Sequence, residues 1–331
     1  MIVYYNDYLI NNSMKDSRYK IIFMGTPDFA LPGFQAILSD PAFKIIGVFT
    51  RADKPVGRKQ KLTSPPVKVL AENYEVPVFQ PERIKPEIET IKKLRPDLIV
   101  VIAYGKIIPQ EILDIPKYGC INVHASLLPK YRGAACLTAP IMNGDKETGV
   151  TIMKMEVGLD TGPILRQAKI ELTEKATLPE VHDKLAQLGA SILPQTLKDW
   201  VANKISPKKQ DDAKASYIST LKKEDGRLDW SKSAIELDRL VRGLNPWPGT
   251  FTFDKNGKIV KILVSEVEYQ NLKTTEKKEK IGEISLKNNK LMVKCGQDHL
   301  VILELQTEGG KPLKTQEFLS GHANFVGQIL K

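Results

Sequence analysis

From residue 20 onward, short β-branched apolar runs recur between stretches of helical periodicity, which restricts the first two thirds of the chain to a sheet with helices on its faces. Five strands are expected, at residues 20–24 (KIIFM), 44–50 (KIIGVFT), 77–79, 97–103 (DLIVVIA) and 119–124. The runs are continuous rather than alternating, which suits parallel strands buried on both faces. Gly25 ends the first strand, and Thr26 with Pro27 is expected to cap and start a helix carrying Phe29, Phe34 and Ile37. Further helices are expected over 86–94, 110–113 and about 178–203. The fold class is therefore α/β with an open, doubly wound sheet. Ligands of such sheets bind beyond the carboxyl ends of the strands.

After Ile205 the composition changes. The stretch SPKKQDDAKASY is polar, charged and poor in large apolar groups, which reads as a linker over 207–221. A helix is expected over 233–242, followed by the alternating runs TFTF, KIVKILVSEV, GEISL, KLMVKC and HLVILELQ. Asn256-Gly257 and Asn288-Asn289 supply turns between them. Short antiparallel strands over about 110 residues fit a small barrel, OB-like among the candidates. The expected organisation is an N-terminal extension over 1–19, dispensable if Met14 is the start, a catalytic domain over 20–206, the linker, and a barrel domain over 222–331.

A chain of 331 residues with 42% hydrophobic content has material for two such cores. No apolar run approaches the roughly 20 residues of a membrane span. The first residues lack the basic and apolar regions of a secretory signal. Cys120, Cys136 and Cys295 are too widely separated for a CxxC pair or a thiol zinc site, so a cytoplasmic location is expected. The net charge is +10, and residues 207–331 carry 22 Lys and Arg against 17 Asp and Glu. Such an excess permits a polyanionic partner, since Lys and Arg release counterions when they neutralise phosphates.

Gly25 stands alone in GTPDFALPG, so neither a dinucleotide fingerprint nor a phosphate loop of the G-x-x-x-x-G-K type is present. The chemistry concentrates instead in CINVHASLLPKYRG, residues 120–133. Asn122 and His124 are two apart on the last strand, so both point the same way at its carboxyl end. A lone histidine there is ordinarily a satisfied core residue. The pairing with Asn122, and the abrupt exit through Ser126, Pro129 and Gly133, make His124 a candidate acid/base or oxyanion donor and Asn122 a neutral donor. A second polar group, Gly158-Leu159-Asp160-Thr161-Gly162, reads alone as a hairpin turn. Brought near His124, Asp160 would favour the imidazolium and accept a proton from an attacking amine.

These residues resemble the folate-dependent formyltransferases. The resemblance rests on IIFMGTPDFA (21–30), ADKPVGR ending at Arg58, SPPVKVLA (64–71), PDLIVVIAYGKIIP (96–109), NVHASLLPKYRGAA (122–135), ETGVTIMKMEVGLDTGPIL (147–165) and LNPWPGTF (244–251). It implies a Rossmann-like catalytic domain and a catalytic trio of Asn122, His124 and Asp160. It also implies a folate site formed by Ser126, Leu127, Leu128 and Pro129 with Ala103, Tyr104 and Gly105. The implied formyl donor is 10-formyltetrahydrofolate, used as a co-substrate with no metal. One departure is Cys136-Leu137-Thr138, where relatives usually carry Pro-Ile-Gln.

The catalytic motif does not name the acceptor. A basic loop after the second strand (Lys54, Arg58, Lys59, Lys61), the extra basic domain and NPWPGTF favour initiator methionyl-tRNA, with Arg58 implied to meet the acceptor end. Lys222, Lys223 and Arg242 are expected along a positive path to the site. A small amine such as glycinamide ribonucleotide or an amino sugar, hydrolysis of the donor, and a catalytically inactive tRNA-binding protein are the alternatives. A monomer is expected, and no membrane partner.

Overall fold

The computed structural model describes residues 17–57, 60–269 and 279–331. The first part begins with β1 (Tyr19–Gly25), a single 3-10 turn (Asp28–Ala30), α1 (Leu31–Ser39) and β2 (Phe43–Phe49). A short hairpin follows, β3 (Lys54–Val56) and β4 (Lys61–Thr63), then α2 (Pro66–Asn73), β5 (Val78–Phe79), α3 (Ile88–Leu94), β6 (Leu98–Ile102), α4 (Gln110–Leu113) and β7 (Cys120–His124). After α5 (Ala139–Asn143), β8 (Glu147–Lys154) and β9 (Ile164–Glu171) lead into the long α6 (Leu178–Val201). The strands form one sheet in the order β5-β2-β1-β6-β7-β8-β9.

The five expected strands are the parallel part of this sheet. The sheet is nevertheless mixed, because β8 and β9 add to it as an antiparallel hairpin. The hairpin reading of the Gly158–Gly162 turn thus holds, and its arms extend the catalytic sheet. Period-two alternation sorts the central strands into two cores. Ile21, Phe23, Val100, Ile121 and Val123 pack under α1 and α6. Ile22, Met24, Ile99, Val101 and Cys120 pack on the opposite face with Ile91 of α3 and Ile112 of α4. Asn122 and His124 share the Cys120 side of β7, at its carboxyl end.

Two local expectations are corrected. Thr26 caps no helix: its hydroxyl donates to the Tyr104 carbonyl at 3.2 Å, and the 3-10 turn intervenes before α1. Tyr19, counted with the N-terminal extension, is the first residue of β1 and sits edge-on to Tyr118. Residues 1–16 of that extension lie outside the described residues, as do Arg58 and Lys59.

The second part starts with α7 (Ala234–Leu244), opened by a reciprocal cap in which Ser233 and Glu236 bond each other's backbone. Strands β10 (Thr250–Phe253), β11 (Ile259–Glu268), β12 (Ile284–Lys287), β13 (Lys290–Lys294), β14 (His299–Thr307) and β15 (Leu313–Lys314) follow, then α8 (Thr315–Gly321). Their sheet runs β10-β11-β14-β13-β12, with β15 beside β14. The C-terminal residues join its two edges: Leu330 N donates to Gly282 O at 2.9 Å, and Lys331 and Phe253 exchange backbone bonds of 3.0 Å. That strip bridges β12 and β10 and closes the sheet into a small barrel. Leu228, Trp230, Leu237, Val241, Ile262 and Leu305 lie in its core.

The polar stretch after residue 205 is no free tether. Lys208 pairs with Ile164 at the edge of β9 through two 2.8 Å bonds, and Arg132 pairs with Ser216 and Ile218. Its polarity, which suggested a linker, reflects hydrogen bonds made to the catalytic domain. Arg242 of α7 also joins the two parts, donating to Asp238 Oδ2 at 2.7 Å and to the Ala176 carbonyl at 2.8 Å.

Candidate active site

Strand β7 delivers Asn122 and His124 to the carboxyl edge of the sheet, and the turn between β8 and β9 brings Asp160 over them. His124 is 6% exposed, with Nδ1 3.6 Å from Asp160 Oδ2 and Nε2 3.0 Å from the Tyr131 carbonyl. The first separation is an ion-pair distance, longer than a hydrogen bond. The carboxylate is anchored elsewhere, since Oδ2 accepts from Gly133 N at 2.8 Å. Among the described residues the Asn122 side-chain amide has no hydrogen-bond partner. An imidazole and a carboxylate therefore face each other with capacity left over, and an amide donor lies two residues earlier on the same face of β7.

Burial alone would push the His124 imidazole down. The Cys136 side chain, the Asp160 charge and the Tyr131 carbonyl outweigh it, and the pKa is pushed up to about 9. The shift favours the imidazolium, the form able to donate to an oxyanion. Cys136 lies directly against it.

The surrounding backbone is strained. Tyr131 and Asp160 hold left-handed conformations at φ +61° and +54°, and Gly133 sits at φ +109°. A side chain at Gly133 would meet the Ile218 carbonyl at 2.3 Å. The exit from β7 is fixed by Thr151, whose hydroxyl donates to Ser126 O at 2.7 Å and accepts from Leu128 N and Gln167 Nε2. Ser126 is fully buried and spends its own hydroxyl on Lys130 O at 2.7 Å. Leu127 and Pro129 are half-buried and Leu128 is buried.

The loop after β6 forms another wall of the edge. Ala103 and Gly105 are left-handed, and the Gly105 carbonyl accepts from Arg51 Nη2 at 2.7 Å. Tyr104 is buried, its hydroxyl has no partner among the described residues, and burial with the Glu87 charge pushes its pKa up to about 12. Burial and the neighbouring Arg51 and Lys54 charges hold Lys106 below the usual lysine range. Arg51, Lys54 and Lys106 therefore make a cationic cluster beside this loop.

The expected polyanion contacts divide. Lys54 and Lys61 stand exposed on the β3–β4 hairpin, and Lys222 and Lys223 are exposed before α7; none of the four forms an ion pair among the described residues. Arg242 is half-buried and its guanidinium is committed to Asp238 and Ala176. Sequence reasoning held Arg51 and Lys106 only within the basic loop and the AYGKIIP loop, and it overlooked Thr151, Arg132 and Gln210. The last two are buried polar groups that a hydropathy pattern reads as surface.

Family models of formyl transferase match residues 19–197, and of its C-terminal domain residues 220–323. Similar proteins include the methionyl-tRNA formyltransferase of Clostridium novyi, 45% identical over 94% of this chain and 100% of its own. That of Caldanaerobacter subterraneus is 46% identical over the same shares. Among solved structures, an N-formyltransferase from Helicobacter canadensis in complex with folinic acid and dTDP-3-aminofucose superposes with TM-score 0.64 at 19% identity, covering 88% of this chain and 100% of that one. HypX from Aquifex aeolicus gives 0.62 at 17%, covering 94% of this chain and 48% of that one. At these identities the structures speak for the fold, whereas the sequence matches run through both halves: the chain belongs to the formyl transferase family.

Proposed function

We propose that the protein transfers the formyl group of 10-formyltetrahydrofolate to the α-amino group of methionine on initiator methionyl-tRNA, in the cytoplasm, as a step towards translation initiation. The observation that supports this reading is the open arrangement at the sheet edge: an Asn122 amide without a hydrogen-bond partner among the described residues, a His124 imidazole facing Asp160, and an Asp160 carboxylate anchored by Gly133 N. Relatives at 45% identity over nearly the whole chain, named as methionyl-tRNA formyltransferases, support the acceptor.

The amine nitrogen attacks the formyl carbon, forming a C–N bond and placing negative charge on the formyl oxygen. Asn122 and the imidazolium of His124 donate to that oxygen. Asp160 accepts the proton that the amine loses, directly or through water, and keeps His124 charged. Collapse breaks the bond to N10, and the proton returns to that nitrogen. Ser126, Leu127, Leu128 and Pro129, facing Ala103, Tyr104 and Gly105, are the proposed folate walls. The Arg51 and Lys106 cations suit the carboxylates of its tail. Lys54, Lys61, Lys222 and Lys223, together with Arg58 and Lys59, are the proposed phosphate contacts.

The test is formyl transfer from 10-formyltetrahydrofolate to charged initiator tRNA, run beside glycinamide ribonucleotide, an amino sugar nucleotide and a no-acceptor control. Transfer to the tRNA alone is expected. Transfer to a small amine, or hydrolysis alone, would retain the chemistry and overturn the acceptor. Tight tRNA binding with no turnover would identify an inactive binding protein.

A further inference from the structure

The segment after residue 205 carries two buried polar contacts to the catalytic domain that its composition hides. Gln210 is 5% exposed, and its amide nitrogen donates to the carbonyls of Asp160 and Gly162, both at 2.7 Å. Its amide oxygen accepts from Arg132 Nε at 3.1 Å and Nη2 at 2.9 Å. Every hydrogen-bonding group of this side chain is used. Arg132 is 1% exposed and completes its shell with Asp212 Oδ1 at 2.8 Å and Tyr217 OH at 2.8 Å. The backbone of Arg132 bonds Ser216 and Ile218, and Tyr131 N donates to Ser216 Oγ at 2.9 Å.

These bonds end on the two pieces of backbone that flank His124. One is the turn carrying Asp160, whose carboxylate faces Nδ1. The other is the loop carrying the Tyr131 carbonyl, which holds Nε2. Both are left-handed at a non-glycine residue, a conformation that persists where neighbours impose it. Within the first, the carbonyls pinned by Gln210 belong to Asp160 itself and to Gly162, two residues further on.

We propose that Gln210 is a positioning residue for formyl transfer, holding the Asp160 turn, and through Arg132 the Tyr131 loop, so that the carboxylate keeps its separation from His124. The inference rests on the formyl-transfer reading of the trio. Gln210 touches neither reacting atom; it acts by removing the freedom of the turn that carries one of them. Placement errors near 1 Å can cost about 10²-fold in rate, so a loosened turn is expected to be visible in kcat. The segment that supplies Gln210 continues into the barrel domain, so the same bonds tie the trio to the junction between the domains.

Two substitutions separate the halves of the amide. Gln210→Met keeps the volume and loses both the donors and the acceptor. Gln210→Glu keeps an acceptor for Arg132 and sets a carboxylate oxygen against two carbonyls. For both, kcat is expected to fall by about tenfold to 10²-fold with the KM of folate and of tRNA within about twofold. The ionisable groups facing His124 are Asp160 on the turn and Cys136 after the exit from β7, so drift of Asp160 should also lower the imidazole titration. That titration, followed by NMR on the full chain, requires no turnover.

A lower titration midpoint together with lower kcat supports the proposal. Wild-type kcat and titration in folded Gln210→Glu overturn it. A lower melting temperature and active fraction with an unchanged pH profile would also overturn it, since that is what a merely structural residue gives. If the wild-type protein transfers no formyl group at all, the reading of the trio fails. The NMR comparison would still report whether Gln210 positions Asp160. Should the Met variant fail to fold, the Glu variant decides alone, because it preserves the Arg132 contact.

Discussion

Among the described residues, two buried histidines pair with carboxylates, one in each half, and the pairs are built differently. In the barrel, His299 is 5% exposed and bonds Glu279 directly, while Lys287 stands 3.4 Å from the same carboxylate. Burial works against the Glu279 charge, but His299 and Lys287 hold its pKa below the usual range. That pair is closed. In the catalytic domain, His124 and Asp160 stay 3.6 Å apart, the carboxylate is pinned to Gly133, and an amide donor beside them is unspent. Residue type does not separate a lock from a site. Unspent hydrogen-bonding capacity and left-handed backbone do.

The sharpest way to break that comparison is to delete each imidazole. His124→Ala is expected to lower kcat/KM for formyl transfer by roughly 10²- to 10⁴-fold, with folate and tRNA affinities nearly retained. A steady-state assay with binding measured separately checks it, and a fully active variant would remove His124 from the mechanism. Asn122→Ala should cost somewhat less, about 10²- to 10³-fold in kcat, the usual loss for one oxyanion donor. Because the Asn122 amide satisfies nothing else among the described residues, its thermal midpoint should barely move.

The open pair also makes a statement about pH. The pKa of His124 is raised to about 9, above the unfolded value of about 6.5. Its contribution to stability is therefore complete below about pH 6.5 and lost as pH rises through about 9. The same deprotonation removes the cationic donor, so kcat should fall over that alkaline range. Asp160→Asn removes one of the charges that favour the imidazolium, and its alkaline limb should appear at lower pH. An unshifted limb would mean that the gap between the two groups already uncouples them.

His299→Ala turns the comparison round. It leaves the half-buried Glu279 carboxylate with Lys287 but without its hydrogen-bonded imidazole, a loss of about 1 to 3 kcal/mol, and should lower the melting temperature without changing kcat. A large loss of kcat at constant stability would make the barrel pair part of the site.

Much of this arrangement was legible in the sequence because it follows the period of a strand. Apolar runs gave the five parallel strands, and the spacing of Asn122 and His124 put both at one strand end. Gln210 and Arg132 escaped because burial of a polar side chain depends on partners about 50 to 78 residues away, which no local pattern encodes. The packing of segment 207–221 was hidden for the same reason, since its polar groups bond backbone carbonyls as readily as water. Arg242 looked like a free cation, yet Asp238 sits one helical turn before it and Ala176 O faces it across the junction. The hairpin arms of β8 and β9 were visible as apolar runs, but their place in the catalytic sheet was not.

The smallest expected effect concerns charge outside both pairs. Lys54 and Lys61 face each other's strands on the exposed β3–β4 hairpin, with no ion pair among the described residues, near the Arg51 and Lys106 cluster. If they meet phosphates, each alanine substitution should reduce the slope of log affinity for tRNA against log salt by about one. Chemistry at saturating tRNA should stay as it was, because neither residue reaches the trio. Arg242→Ala provides the contrast. Its guanidinium is spent on Asp238 and Ala176, so it should lower stability and leave the salt slope alone. Should the slope fall for Arg242 and hold for the two lysines, the acceptor would approach along the domain junction rather than over the hairpin. Lys222 and Lys223 would then be the next positions to substitute.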